Sequence, residues 1–460
     1  MSSAPPDNPA SAEPHFPHGV HHIFGFVIFN ALSFQIVLAS PMVLYAKTLG
    51  ASATVLGLIA GMMPLLVIFQ IPASRHVGSF GYKRFVLAGW STRVAFIFLM
   101  ALVPLGNAFL SASTRLSLML FLLFFFNLSR GISSCGWLPW ITSLIPAPIR
   151  GKYLAREAAF VNGSSFLAFL IAALLLGPAP VPWQFAAVFT FSAVMGAISL
   201  RFLKQIPEGD SPEQVKTSNQ PVPWLEIATH PPFQKLLRMS IVYALASGGM
   251  TAFAVAFLKA DANLSEGRIL FLTSVSFLGG LGSLWLLGSR LDRLGSKPVV
   301  SAACLGWLLV ALGWALVAAR VLKPRVELIL CLQFLMGLGT SVVNMAHTRL
   351  AMCIVPAMGR SHFFALYSVC SNLALGLAPI LWGLQIDAFR DLKLIWTVGG
   401  MNLELNNYTL FFLLVMGMFA IAHAISHRLE EPQAASMEVL LRDILEQSPL
   451  RIWVRFWPRG

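Results

Sequence analysis

Five ionisable side chains stand in or beside long apolar runs, where charge is costly: Arg93, Arg130, Glu157, His347 and Asp387. Arg130 is the sharpest case. It follows Phe124-Phe125-Phe126-Asn127-Leu128-Ser129 and precedes Gly131, in a run from Leu116 to Trp140 that holds no Asp or Glu. A guanidinium keeps its proton at ordinary pH, and at a bilayer centre it costs about 2.5–3.5 kcal/mol on insertion scales. Such a residue faces a bundle interior or a wet cavity. There it can bind an anionic or carbonyl-rich molecule, or it can satisfy helix-end carbonyls or an Asn between helices. Glu157, His347 and Asp387 are the groups that could exchange a proton, and each lies near the end of an apolar run. A plain loop contact explains His347 equally well.

The uncharged polar groups within the runs are Asn30, Gln35, Asn162, Gln333, Asn344 and Asn372. Amides in such places hydrogen-bond between helices for about 0.6 kcal/mol on average, so packing explains each one alone. Asn162 and Asn372 stand out as a pair. No Asp or Glu falls mid-run, so cationic cargo fits less well than anionic or neutral polar cargo. No phosphate-binding Gly-rich loop ending in Gly-Lys-Ser/Thr, no HExxH and no GxSxG occurs, so nothing points to an enzyme or to ATP, and no cofactor is called for. His15, His18, His21 and His22 lack companion Cys or carboxylate ligands, and no metal site is expected. The five cysteines fall in or beside apolar runs without CxxC spacing, and read as small buried hydrophobes.

The elements that must hold these groups are membrane helices. Of 460 residues, 57% are hydrophobic and 11% charged, against about 25% charged in soluble proteins. Twelve apolar stretches long enough to cross a bilayer are read at roughly 20–45, 53–74, 85–106, 116–139, 156–177, 183–203, 236–258, 267–289, 298–319, 327–348, 362–385 and 408–427. The net charge of +13 comes from basic residues in alternate short loops, which is membrane topology rather than a nucleic-acid surface. Lys and Arg are more than twice as frequent on the side that carries the N-terminus, which places both termini in the cytoplasm. The reading is therefore an all-α polytopic membrane protein: a disordered tail at 1–19, six spans over 20–203, a cytoplasmic loop at 204–235, six spans over 236–428, and an amphipathic tail at 429–460. No cleavable signal peptide is expected, because the first 19 residues hold no Lys or Arg.

The halves repeat. Ile145-Pro146-Ala147-Pro148-Ile149-Arg150 is matched by Val355-Pro356-Ala357-Met358-Gly359-Arg360, 210 residues later, and the same offset relates Asn162 to Asn372. Gly57 and Gly61 form G-x-x-x-G in the second span, which permits close helix approach.

Between spans 8 and 9 stands Gly288-Ser289-Arg290-Leu291-Asp292-Arg293-Leu294-Gly295-Ser296-Lys297-Pro298. It resembles the G-x-x-x-D-R-x-G-x-[KR]-[KR] loop of the major facilitator superfamily. The first half keeps Gly81, Lys83 and Arg84, but Gly78 and Ser79 replace the acid–base pair. Arg130-Gly131 loosely matches the helix 4 motif of that family without its usual Gln. The resemblance implies two pseudo-symmetric six-helix bundles that rock by alternating access. Spans 1, 4, 7 and 10 would line the cavity, spans 2, 5, 8 and 11 would form the interface, and spans 3, 6, 9 and 12 would lie outside.

On that basis the expected cavity residues are Arg130, Asn30, Gln35, Asn162, Asn344 and Asn372. Arg93, on a peripheral span, is expected to be structural. The expected gating residues are Asp292, Arg293, Gly295, Lys297, Gly81, Lys83, Arg84, Arg150 and Arg360, with Asp292 meeting the start of span 5. Glu157, His347 and Asp387 are the candidates for proton coupling. The expected function is secondary or facilitative transport of a small anionic or neutral solute by a monomer in the plasma (inner) membrane, in contact with lipid, with a proton as the candidate coupling ion. The alternatives are a non-transporting sensor or scaffold, and an exporter of lipids or other amphiphiles.

Overall fold

A chain inside lipid must satisfy every backbone N–H and C=O internally, so apolar runs of this length fold as helices. The computed structural model describes residues 19–145, 150–208, 229–287, 295–354, 360–398, 401–429 and 431. Twelve of its helical segments are long and apolar enough to cross a membrane. Several run a few residues beyond the stretches read from hydropathy, because helices continue past the apolar core. Twelve crossings return the chain to the side on which it began. That side is called here the terminal face, and the opposite side the far face.

Two spans are broken at matching places. Span 1 consists of α1 (Val20–Leu38) and α2 (Ser40–Thr48), separated by extended backbone at Ala39. Pro41 just beyond has no N–H to continue the ladder. Span 7 consists of α10 (Pro231–Ser247) and α11 (Met250–Ala260). There Gly249 takes φ 87°, a conformation that a residue with a Cβ avoids. Ala39 and Gly249 are separated by the same 210 residues that relate the repeated Pro-Ala motifs.

The remaining spans run as follows. Span 2 is α3 (Ala53–Leu66), a 3₁₀ turn and α4 (Gln70–Phe80). Span 3 is α5 (Tyr82–Leu102), and span 4 is α6 (Ala112–Ser133) continued through a 3₁₀ turn into α7 (Trp137–Leu144). Spans 5 and 6 are α8 (Arg150–Leu176) and α9 (Pro182–Gln205). Spans 8 to 11 are α12 (Glu266–Leu287), α13 (Ser296–Ala318), α14 (Val326–Ile354) and α15 (Arg360–Ala388). Span 12 is α16 (Asn407–Ser426).

Within each half, polar side chains bridge neighbouring spans. Ser33 and Ser192 bond spans 1 and 6, and Trp90 Nε1 donates to Asn30 Oδ1 between spans 3 and 1. Ser240 donates to the Tyr367 hydroxyl, and Trp382 Nε1 to the Leu245 carbonyl, joining spans 7 and 11. Between halves, span 2 packs on span 11 and span 5 on span 8. Gly57 and Gly61 lie in the first seam, where a Cβ would run into the carbonyls of Pro379 and Gly376. The G-x-x-x-G pair is thus an interface between the two halves.

A hairpin of β1 (Lys393–Val398) and β2 (Met401–Asn406) stands on the far face, with Val398 opposite Met401. Glu404 anchors it by an N–H bond to the Ala319 carbonyl and an ion pair to Arg320 at 2.8 Å. The all-helical expectation does not include it. Its signal is present: a β-branched and aromatic run, Leu394-Ile395-Trp396-Thr397-Val398, ends at Gly399-Gly400, a two-residue turn sequence. The cysteines also depart from expectation. Cys304 is buried, but Cys331 is exposed, because span 10 turns that face outward.

Candidate functional site

The two helix breaks meet at a cavity of about 480 Å³, lined by Ala39 and Ser40 from one break and by Ser247, Gly248 and Gly249 from the other. Broken helices are tolerated in lipid where they line a cavity. Spans 1, 2 and 5 of the first half and spans 7, 8, 10 and 11 of the second contribute its wall. Phe169 and Phe277 meet edge to face across the halves, with ring centroids 5.0 Å apart.

The lining is largely apolar, and its polar groups carry no charge. Gln35, Ser40 and Asn162 come from one half, and Ser247, Thr251, Thr273, Ser276, Gln333, Thr340 and Ser341 from the other; no Asp, Glu, Lys, Arg or His is among the lining residues. Several hydroxyls donate to their own helix. Ser247 donates to the Tyr243 carbonyl, Thr273 to Ile269 and Thr340 to Met336, at 2.8–2.9 Å. A hydroxyl that has given its proton offers only lone pairs to a ligand. Two buried lining groups have no partner among the described residues: Gln333 Nε2, in a residue 1% exposed, and Ser40 Oγ, in a residue 2% exposed. A buried unpaired amide donor costs about 1–3 kcal/mol. The wall of the cavity therefore includes an unpaired donor on span 10 and an unpaired hydroxyl at the break of span 1, both beneath its surface, with acceptors around them.

The far-face end of the cavity is closed by bonds between halves. Asp387, at the end of span 11, accepts from the N–H groups of Ala53 and Thr54 at 3.0 and 2.8 Å and from the Thr54 hydroxyl at 2.6 Å. These N–H groups open span 2, where a helix start presents unpaired donors and a positive dipole end. At the matching position of the repeat, Gly267 N–H at the start of span 8 donates to the Gly177 carbonyl at 3.0 Å. These bonds between the halves lie at one face.

Of the expected cavity residues, Gln35 and Asn162 line this cavity. Asn30 does not, because its carbonyl is taken by Trp90. Asn344 is exposed one turn beyond Thr340 and Ser341 on the same helix, continuing the lining stripe towards the terminal face. Asn372 is half-buried and donates to the Ser368 carbonyl, as Asn162 does to Ala158. The pair thus shares a local geometry, but only Asn162 lines the cavity.

Arg130 is not among the lining residues, nor is any other residue of span 4. Gly131 brings span 4 against the Leu66 carbonyl of span 2, and span 2 supplies that wall through Ala60, Met63 and Pro64. Arg93 is buried in the same half, its guanidinium 4.5 Å from the Trp90 ring centre and 5.2 Å from that of Phe126.

The proton-coupling candidates are dispersed. Asp387 is the far-face cap. His347 is buried in the second half against Tyr243, ring centres 5.5 Å apart, and its Nε2 has no partner among the described residues. Glu157 interacts with Tyr153 one turn earlier on span 5. None of the three lines the cavity.

On the terminal face, Gly81 and Gly295 take nearly the same backbone conformation, φ 77° and ψ 149° against φ 84° and ψ 165°. Only glycine adopts it readily, so both motif copies turn in the same way. Lys83 is half-buried and Arg84 exposed. The Lys297 N–H, with that of Ser296, donates to Glu431, which also pairs with Arg349 at 2.6 Å. Arg150 and Arg360 begin spans 5 and 11. Asp292 and Arg293, and with them the expected contact to span 5, lie outside the described residues.

Sequence reasoning passes over Ser40 and the hydroxyls of spans 7, 8 and 10, and marks Gln333 only as an in-span amide. The available signals are the breakers, Ser40-Pro41 and Gly248-Gly249, inside otherwise apolar runs.

Solved structures share the architecture. The nucleoside transporter NupG superposes with a TM-score of 0.63 at 13% identity, covering 89% of this chain and 97% of that one. A D-xylose-proton symporter gives 0.68 at 13%, covering 90% and 98%. A bacterial homologue of the human lysosomal transporter Spinster, inward-facing and unoccupied, gives 0.61 at 15%, covering 95% and 100%. At such identities the likeness is one of fold. No curated protein matches the chain. The sequence itself matches the Major Facilitator Superfamily over residues 23–318 and 239–457. Twelve spans, a repeat of 210 residues and a cavity between the halves agree with that match, and the chain belongs to this superfamily of transporters.

Proposed function

We propose that the protein moves a small, uncharged solute bearing several hydroxyl or amide groups across the membrane by alternating access. The observation that carries this reading is the cavity between the halves, whose wall holds amides and hydroxyls from both and no charged side chain. A charged solute would lose its hydration there without gaining a counter-charge. A neutral polyol or amide would accept from Gln333 Nε2 and donate to the hydroxyl lone pairs, so its own donors and acceptors would be met. A volume of about 480 Å³ lies in the usual range for small-molecule sites, about 300–1,000 Å³. The fold neighbours named for a nucleoside and for D-xylose handle uncharged, hydroxyl-rich molecules, which supports the same class here.

We assign both termini to the cytoplasm from the distribution of Lys and Arg, and take the membrane to be the plasma membrane. The far face is then external, and its bonds hold the outer side shut. Since no titratable group lines the cavity, the favoured mode is movement down the gradient of the solute itself.

The test is uptake of uridine and D-xylose, with glutamate and choline as charged comparisons, into proteoliposomes of the purified protein. Uptake of a neutral member that persists with a protonophore present is the expected result. Uptake confined to charged members would overturn the assignment. Gln333→Leu keeps the volume but removes the donor, and should lower apparent affinity about 10-fold, one hydrogen bond of roughly 1.4 kcal/mol.

A further inference from the structure

Arg93 and Arg130 remain unexplained by the neutral cavity. Both stand eleven residues from the terminal-face end of their spans, about 16 Å deep at 1.5 Å per residue. A close crossing of spans 3 and 4 sets this common depth. The Ser129 hydroxyl donates to the Gly89 carbonyl at 3.1 Å, and a Cβ on Gly89 would strike Ser133. Arg93 follows Gly89 by one turn, and Arg130 follows Ser129 directly. The Arg93 guanidinium reaches across to Phe126, one turn before Arg130 on span 4, which brings two like charges to the same place. Arg93 is 4% exposed, its Nε has no partner among the described residues, and the faces of Trp90 and Phe126 lie against it. Among the described residues, neither guanidinium has a hydrogen-bond acceptor or a carboxylate partner. Arg130 is only half-buried, so the pair can be reached from its side.

Water could satisfy the N–H groups but would leave two like charges in a medium of low dielectric. The Trp90 and Phe126 faces offset part of one charge. An oxyanion relieves both, because a planar guanidinium meets carboxylate or phosphate oxygens two at a time. We propose that Arg93 and Arg130 form an anion-binding site in the first half, separate from the neutral cavity, for a phosphate or carboxylate group. That group could belong to an anionic lipid or to a free anion, since the recognising chemistry is the same.

Thermal unfolding in phosphatidylcholine nanodiscs tests this, with inorganic phosphate added in one arm and phosphatidylglycerol built into the disc in the other. Sodium chloride of equal ionic strength controls for screening. Stabilisation of the wild type by phosphate, beyond that from chloride and lost in Arg130→Gln, assigns a free anion. Stabilisation by phosphatidylglycerol alone, lost in the same variant, assigns a lipid headgroup. Bound ligand raises the midpoint by mass action, and Arg130→Lys should retain only part of the rise because it keeps the charge without the fork. If Arg130→Gln does not fold, Arg130→Lys decides alone. No rise in either arm, or a rise undiminished in the variants, overturns the proposal and leaves the pair a solvated structural feature.

Discussion

At the scale of residues, an unmet hydrogen-bonding need is more telling than polarity alone. Asn30 and Gln35 look alike in the sequence, little more than a turn apart on span 1, yet Asn30 is consumed by Trp90 and Gln35 lines the cavity. The difference lies in a partner sixty residues away, which no local pattern encodes. Arg130 was legible as an expensive charge, but its surroundings were not, because they depend on how tightly Gly131 lets span 4 approach span 2. Asp387 shows the same limit. Its position near a span end made it a candidate for proton coupling, and no local pattern showed that its three bonds go to the start of span 2. Asp387→Asn should weaken that closure by about 1 kcal/mol, the scale of a charge at a helix start, and shift the balance about fivefold towards opening at this face. Labelling of Thr251→Cys by an impermeant maleimide from outside reads the shift; an unchanged labelling rate would show that Asp387 does not hold the face shut.

At the scale of elements, the helices were readable because lipid leaves the chain few alternatives. Their breaks were readable only in part. Gly248-Gly249 announces a break in span 7, whereas in span 1 the signal is the neighbouring Ser40-Pro41, and Ala39, an ordinary helix former, shows its extended backbone only in the structure. The seam between spans 2 and 11 rests on the absence of side chains. Gly57→Leu should strike the Pro379 carbonyl, which cannot move without moving span 11. Lost transport is the expected result, with opening at the far face or a lower unfolding temperature. A Cβ added at Gly306 would meet nothing within 4 Å. Gly306→Ala should therefore be tolerated and gain up to about 1 kcal/mol of helix propensity. Equal damage from both changes would mean that this seam is not closely packed in the working protein.

At the scale of the whole molecule, the repeat predicts more than the motifs that revealed it. The offset read from two Pro-Ala-x-x-Arg segments also relates the two helix breaks, the seam glycines Gly57 and Gly267, and the far-face pair Gly177 and Asp387. Twelve spans and two halves were thus legible from hydropathy and repetition. The neutrality of the cavity was not, since it depends on which faces of seven spans converge. Glu431 binds the beginning of the tail to the start of span 9 and to Arg349. Glu431→Ala should take this partner from Arg349 and lower the unfolding temperature by a few degrees, as loss of a partly buried pair does. An unchanged midpoint would mean the contact adds nothing to stability.

The two far-face closures differ in how they can change over time. One is a carboxylate reaching across to a helix start, and a single codon change removes it. The other is a bond between two main chains, and it depends on Gly267 keeping no side chain, since a Cβ there would strike the Gly177 carbonyl that accepts it. Selection can therefore adjust the openness of the far face through one side chain at the first seam, while at the second it is held to a bare glycine.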